Sequence, residues 1–95
     1  MKDSPDYKVE QLMKVVLLLE TTNECEAFFD DLCTLNELKA FSQRLDVARM
    51  LLDGHTYEHI EAFTGATYNT ISRVNKTLSK ENSLKIILNR IENKL

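Results

Sequence analysis

Only two glycines, Gly54 and Gly65, and one proline, Pro5, interrupt this 95-residue chain. So few turn-formers argue against a sandwich or barrel of short strands and for helices joined at a small number of breaks. The length predicts a single domain spanning residues 1–95. A helical core of this size buries little surface, and dimerisation is one way to enlarge it.

Apolar spacing places the helices. Residues 1–5 read as a tail, and a helix is expected from Asp6 to about Glu20, with Val9, Leu12, Val16 and Leu19 on one stripe. Met13, Val15, Leu17 and Leu18 widen that stripe almost to the full circumference, which predicts cover on more than one side and hence a dimer. Asn23 is expected to cap a short second helix with Ala27, Phe28 and Leu32 on its apolar side. Thr34 and Glu37 form a T-x-x-E capping box for a third helix, Leu35 to about Asp53, whose buried stripe reads Leu38, Phe41, Leu45, Ala48 and Leu52. Gly54 stands at its end, the usual C′ position. Helices from Tyr57 to about Thr64, Tyr68 to about Ser79 and Ser83 to Leu95 follow, the last burying Leu84, Ile87, Leu88, Ile91 and Leu95. The class is all-α, with six helices.

Net charge is −3, but it is unevenly spread. Residues 1–53 hold six Lys/Arg and eleven Asp/Glu; residues 54–95 hold six and four. Between 67 and 80 stand Arg73, Lys76 and Lys80 with no acid, a basic segment behind an acidic front. The longest apolar run, Val15 to Leu19, is five residues, too short to span a membrane, and the start of the chain lacks a secretory pattern. A bacterial cytoplasmic location is the expectation.

The stretch from Thr56 to Ser79 carries the chemistry. Thr56 caps a short helix with Ile60 and Phe63 expected inward, Gly65 supplies the turn, and Thr67 caps a second helix. Ile71, Val74 and Leu78 fall at spacings of three and four and face inward; Tyr68, Asn69, Ser72, Arg73 and Lys76 face out. This is the pattern of a helix-turn-helix at about 56–79, whose second helix enters the major groove of double-stranded DNA N-terminus first. Asn69 can pair with adenine and Ser72 with either partner, while Arg73 and Lys76 can hold phosphate or guanine. The helix starts at Thr56 and Thr67 can also meet phosphate. Many such motifs place Ala four residues before the turn glycine. Glu61 stands there, so either its stem turns outward or Ala62 makes the contact.

From Leu32 to Leu78 the sequence resembles the Trp repressor superfamily, most of all the YerC/YecD group of Gram-positive bacteria. The resemblance rests on Leu35-Asn-Glu-Leu-Lys-Ala-Phe-Ser-Gln-Arg44, Leu51-Leu52-Asp53-Gly54, Thr56-Tyr57, Thr64-Gly65-Ala66 and Thr70-Ile71-Ser72-Arg73-Val74-Asn75. It implies a six-helix fold with the helix-turn-helix as the fourth and fifth helices, an intertwined homodimer, and a transcriptional regulator, expected to be a repressor. It also implies an effector pocket in which two arginines sandwich an indole. Arg44 and Arg73 match those arginines, and Thr34, Thr70 and Thr77 match or nearly match its polar positions. Val74 departs from the pattern, which has glycine against the ligand. Overfilling such a site costs about 1–3 kcal/mol. L-tryptophan is therefore not expected as a cofactor, and the effector is left unnamed.

His55 and His59 are four apart but lack the Glu of HExxH, and Cys25 and Cys33, eight apart, read as buried thiols, so no metal site is expected. No catalytic triad or phosphate loop is identifiable, so the chain is not expected to be an enzyme. The alternative to a DNA-binding regulator is a protein-interaction domain that keeps the fold and uses its acidic front as the contact surface.

Overall fold

The computed structural model describes residues 7–79 and 83–94, with side chains as far as residue 90. The expected tail, Asp6, Lys80, and the burial of Ile91 and Leu95 lie outside the described residues. Among those described there are six helices and no strand: α1 (Tyr7–Val16), α2 (Thr22–Leu32), α3 (Leu35–Leu52), α4 (Tyr57–Thr64), α5 (Tyr68–Leu78) and α6 (Ser83–Lys94). None is long and apolar enough to cross a membrane.

Residues 7–38 form one unit. Helix α1 stops at Val16 rather than near Glu20. Beyond it, the amides of Leu18 and Leu19 donate to the carbonyls of Val15 and Val16 at 2.9 and 3.1 Å, three residues back, so the chain tightens out of the α-helix. The expected stripe is real: Val9, Leu12, Val16 and Leu19 are half-buried, whereas the other residues from 7 to 20 are exposed. Helix α2 is capped by Thr21, not Asn23. The Thr21 Oγ1 accepts from the Glu24 amide at 3.0 Å, and Glu24 Oε1 accepts from the Glu20 amide at 3.0 Å. Thr21-x-x-Glu24 is itself a capping-box pattern, and it leaves Asn23 inside the first turn. The half-buried side of α2 is Cys25, Phe28 and Phe29, while Ala27 and Leu32 are exposed. Cys25 and Cys33 are free and half-buried rather than buried.

The Thr34–Glu37 box forms as expected, with Thr34 N donating to Glu37 Oε1 at 2.7 Å and Glu37 N to Thr34 Oγ1 at 3.1 Å. The Thr34 backbone N–H, and after it the Thr34 side chain, holds the Glu37 carboxyl below its ordinary value of 4.5.

Residues 39–94 form the second unit. Its core is Val47, Ala48, Ile60, Ala66, Ile71, Val74, Leu78 and Leu88, with Met50, Leu51, Leu52, Tyr57 and Leu84 packed around it. Fully burying side chains such as Ile60 and Ile71 stabilises by roughly 1.5–3 kcal/mol each. Helix α3 closes as a Schellman motif: His55 N donates to Met50 O at 3.0 Å and Gly54 N to Leu51 O at 3.1 Å, with Gly54 at φ +87°.

Four residues expected to be buried are exposed in this unit. Phe63 is 73% exposed, because α4 buries the stripe of Ile60 with its half-buried neighbours Tyr57 and Thr64. At roughly 100° per residue those two lie about 60° and about 40° to one side of Ile60, and Phe63 lies about 60° to the other. Phe41 and Leu45 are exposed on α3, where the burial falls instead on Val47 and Ala48. Ile87 is exposed because α6 turns Leu84 and Leu88, four apart, toward the core.

Candidate nucleic-acid interface

Helices α4 and α5 are built alike. Each begins on a Thr-Tyr pair whose threonine is the N-cap: Thr56 Oγ1 accepts from His59 N at 3.1 Å, and Thr67 Oγ1 accepts from Thr70 N at 3.2 Å. Such caps satisfy amides that a helix start otherwise leaves free. The Thr67 and Thr70 hydroxyls also meet at 3.1 Å.

The turn between them is fixed from three directions. Gly65 takes φ +75°, in the left-handed region, and its amide donates to Glu61 O at 2.9 Å. Thr64 Oγ1 donates to Ile60 O at 2.7 Å and accepts from Ala66 N at 3.1 Å. From α3, Gln43 Nε2 donates to Thr64 O at 3.1 Å. Of the two contacts weighed at the junction, the one through Ala62 fails, since Glu61 and Ala62 are both exposed. Ile60, Ala66 and Ile71 are the buried residues there. Helical spacing alone assigns no role to Gln43 or Ala66. A small residue directly after the turn glycine was the available signal for Ala66; nothing local marks Gln43, whose partner is 21 residues away.

The inward residues of α5 are those its spacing predicts, Ile71, Val74 and Leu78. On the outside, Thr56, Thr67, Tyr68, Asn69, Arg73 and Lys76 are exposed, and Ser72 is half-buried. Charge separates the two helices. Helix α5 carries Arg73 and Lys76 and no acid, whereas α4 carries Glu58 and Glu61 and no Lys or Arg. An anionic partner would therefore meet α5 and the capped helix starts rather than the body of α4. Two ring contacts lie at this end: Tyr57 and Tyr68 stand 5.3 Å apart with planes tilted 57°, and His55 and His59 stack at 4.8 Å.

A pocket of about 290 Å³ opens beside α5, lined by Phe41, Arg44, Leu45, Arg73, Val74, Thr77 and Leu84. It brings together Arg44, Arg73 and Thr77 of the expected effector set. Thr70 does not line it and instead joins the α5 cap, while Thr34 caps α3 in the first unit. The Arg44 guanidinium sits 5.4 Å from the centroid of the Phe41 ring, a cation–π distance. Val74 is at once core and pocket wall. The walls offer two guanidiniums and no carboxylate, so an amino acid's ammonium group would meet no counter-charge among them.

The chain matches the family described as Trp repressor protein over residues 7–92. It is 46% identical over 86 residues to YerC, an uncharacterised protein of Bacillus subtilis (strain 168), covering 90% of this chain and 83% of that protein. Two crystal structures share the fold. A candidate Trp repressor from Staphylococcus aureus superposes with a TM-score of 0.86 at 44% identity, over 93% of this chain and 89% of that one. A TrpR-like protein from Eubacterium eligens ATCC 27750 gives 0.86 at 41% identity, over 92% and 91%. These matches span nearly all of the described helices, and the chain belongs to the Trp repressor family.

Proposed function

We propose that this chain is a sequence-specific, double-stranded DNA-binding transcriptional regulator, a repressor, acting as an intertwined homodimer through a helix-turn-helix formed by α4 and α5. The observation that carries the reading is α5 itself. Its buried side is apolar, its open side presents Tyr68, Asn69, Arg73 and Lys76, and no acid interrupts it. Family membership supports the reading, since the family is one of regulators rather than enzymes. The unburied apolar surface just past the end of α1 supports a second copy as partner: Leu17 and Leu18 are 83% and 74% exposed in the single chain.

In this reading Asn69 reads base edges and Lys76 holds phosphate. Asn69→Ala weakens the selected site by about 1–3 kcal/mol and relaxes specificity at one position, whereas Lys76→Ala weakens all duplexes alike. Binding measured on selected and random duplexes separates the two roles. Equal losses on both duplexes for both variants would remove the assignment.

The pocket does not serve L-tryptophan in this account. Val74 occupies its wall where the family pattern has glycine, and the walls lack a counter-charge for the ammonium group. Calorimetry with L-tryptophan therefore gives no saturable heat; a saturable isotherm overturns that reading of Val74.

A further inference from the structure

We propose that Tyr68 reads the 5-methyl group of a thymine and that Tyr57 is the positioning residue that holds the Tyr68 ring for it. The proposal rests on the DNA-binding reading above and names a contact within it. Both tyrosines are the first residues of their helices, each directly after its threonine cap. Tyr57 is half-buried and packs against the core. Tyr68 is 61% exposed, yet its ring lies 5.3 Å from that of Tyr57. That distance is within the range where aromatic pairs attract. An anchored ring thus props an open one across the turn.

The position of the open ring decides its use. The first residues of a recognition helix come nearest the base edges. In the major groove the apolar feature among polar edges is the thymine methyl, and apolar side chains are its partners. A ring already braced loses less freedom on contact than a free one, so the brace favours recognition. Neighbouring Asn69 supplies the polar contact; Tyr68 supplies the apolar one.

The test uses the full chain. Binding sites are selected from randomised duplexes, and each thymine of the selected site is then replaced by deoxyuridine, which removes only the methyl group. At one thymine per half-site the replacement weakens wild-type binding about fourfold, the worth of one buried methyl-sized group. Tyr68→Ala abolishes this discrimination, and Tyr68→Phe keeps it. Tyr57→Leu keeps apolar bulk against the core and reduces the discrimination more than it changes random-duplex affinity, and Tyr57→Phe restores it. The proposal is overturned if deoxyuridine has no effect on wild type, if discrimination survives in Tyr68→Ala, or if Tyr57→Leu leaves it intact. Loss of binding in Tyr68→Phe would overturn it in favour of a hydroxyl contact to phosphate. Duplex binding without a methyl effect removes this inference alone; absence of duplex binding removes the DNA reading and this inference together.

Discussion

Residues 7–38 and residues 39–94 are both helical, but they differ in what their helices bury. The second unit has eight buried hydrophobic residues among those described. The first has none among its described residues. Its described features are local: the Thr21 cap, the Thr34–Glu37 box, a Lys14–Glu10 ion pair at 3.4 Å, and an edge-on Phe28–Phe29 pair at 5.1 Å. The second unit adds a tie across sequence, Gln43 to Thr64. Short-range caps and surface pairs set where helices begin, each worth a fraction of a kcal/mol to about 2 kcal/mol, whereas burial makes a helix persist. The unit with the candidate interface thus carries its own core. The other presents apolar surface that, in our reading, a second copy covers.

The strongest way to break this contrast is in the second core. Ile71→Ala lowers stability by about 2–5 kcal/mol, read by chemical denaturation. The matched change in the first unit, Leu18→Glu, acts through assembly: sedimentation shows the dimer shifted toward monomer, and stability becomes steeply dependent on concentration. If Leu18→Glu changes neither assembly nor concentration dependence, the first unit does not need a second copy.

A smaller effect sharpens the account of the turn. A Cβ at Gly65 would meet Gln43 Nε2 at 3.9 Å, an ordinary contact, so Gly65→Ala is limited by its φ of +75° rather than by space. The left-handed conformation costs a side-chain-bearing residue about 1–2 kcal/mol. Gly54→Ala, at φ +87° with nothing within 4 Å, should cost about as much. A Gly65 loss well above the Gly54 loss would mean that the turn is held more tightly than this.

The smallest effect concerns pH. The folded Glu37 carboxyl lies below 4.5, so its cap is fully present above that pH and is lost as pH falls through the lowered value. Glu37→Gln does not titrate, so its stability declines less steeply in acid than wild type. Denaturation at a series of pH values below 4.5 checks this; parallel curves would contradict it.

Local chemistry made most helix ends from Thr34 onward legible. Thr34–Glu37, Gly54, Thr56, Gly65 and Thr67 each announce a helix end through a side chain or a glycine, and each stands where its type predicts. Thr21 carried the same signal, but Asn23 offered a competing cap in the same stretch. The end of α1 was not legible, because Val15 to Leu19 is uniformly apolar and no cap marks Val16. Phe63 shows the limit of hydrophobicity as a guide to burial: Thr64 occupies the inner face because it bonds Ile60 O and Ala66 N, and Phe63 is left outside. The pocket was legible as Arg44, Arg73 and Thr77. Its apolar wall of Phe41, Leu45 and Leu84 was not, since those residues read as core in a linear pattern.

The central claim is that α5 meets the DNA backbone and its bases. The most direct measurement is affinity for duplex DNA from the host genome as salt is raised. With Arg73 and Lys76 from each of two copies on phosphate, binding should weaken roughly a hundredfold from about 50 to about 200 mM salt, and a subset of fragments should be retained above random duplex. No retention of any fragment at low salt would contradict the account and favour the alternative, a domain that keeps this fold for binding protein.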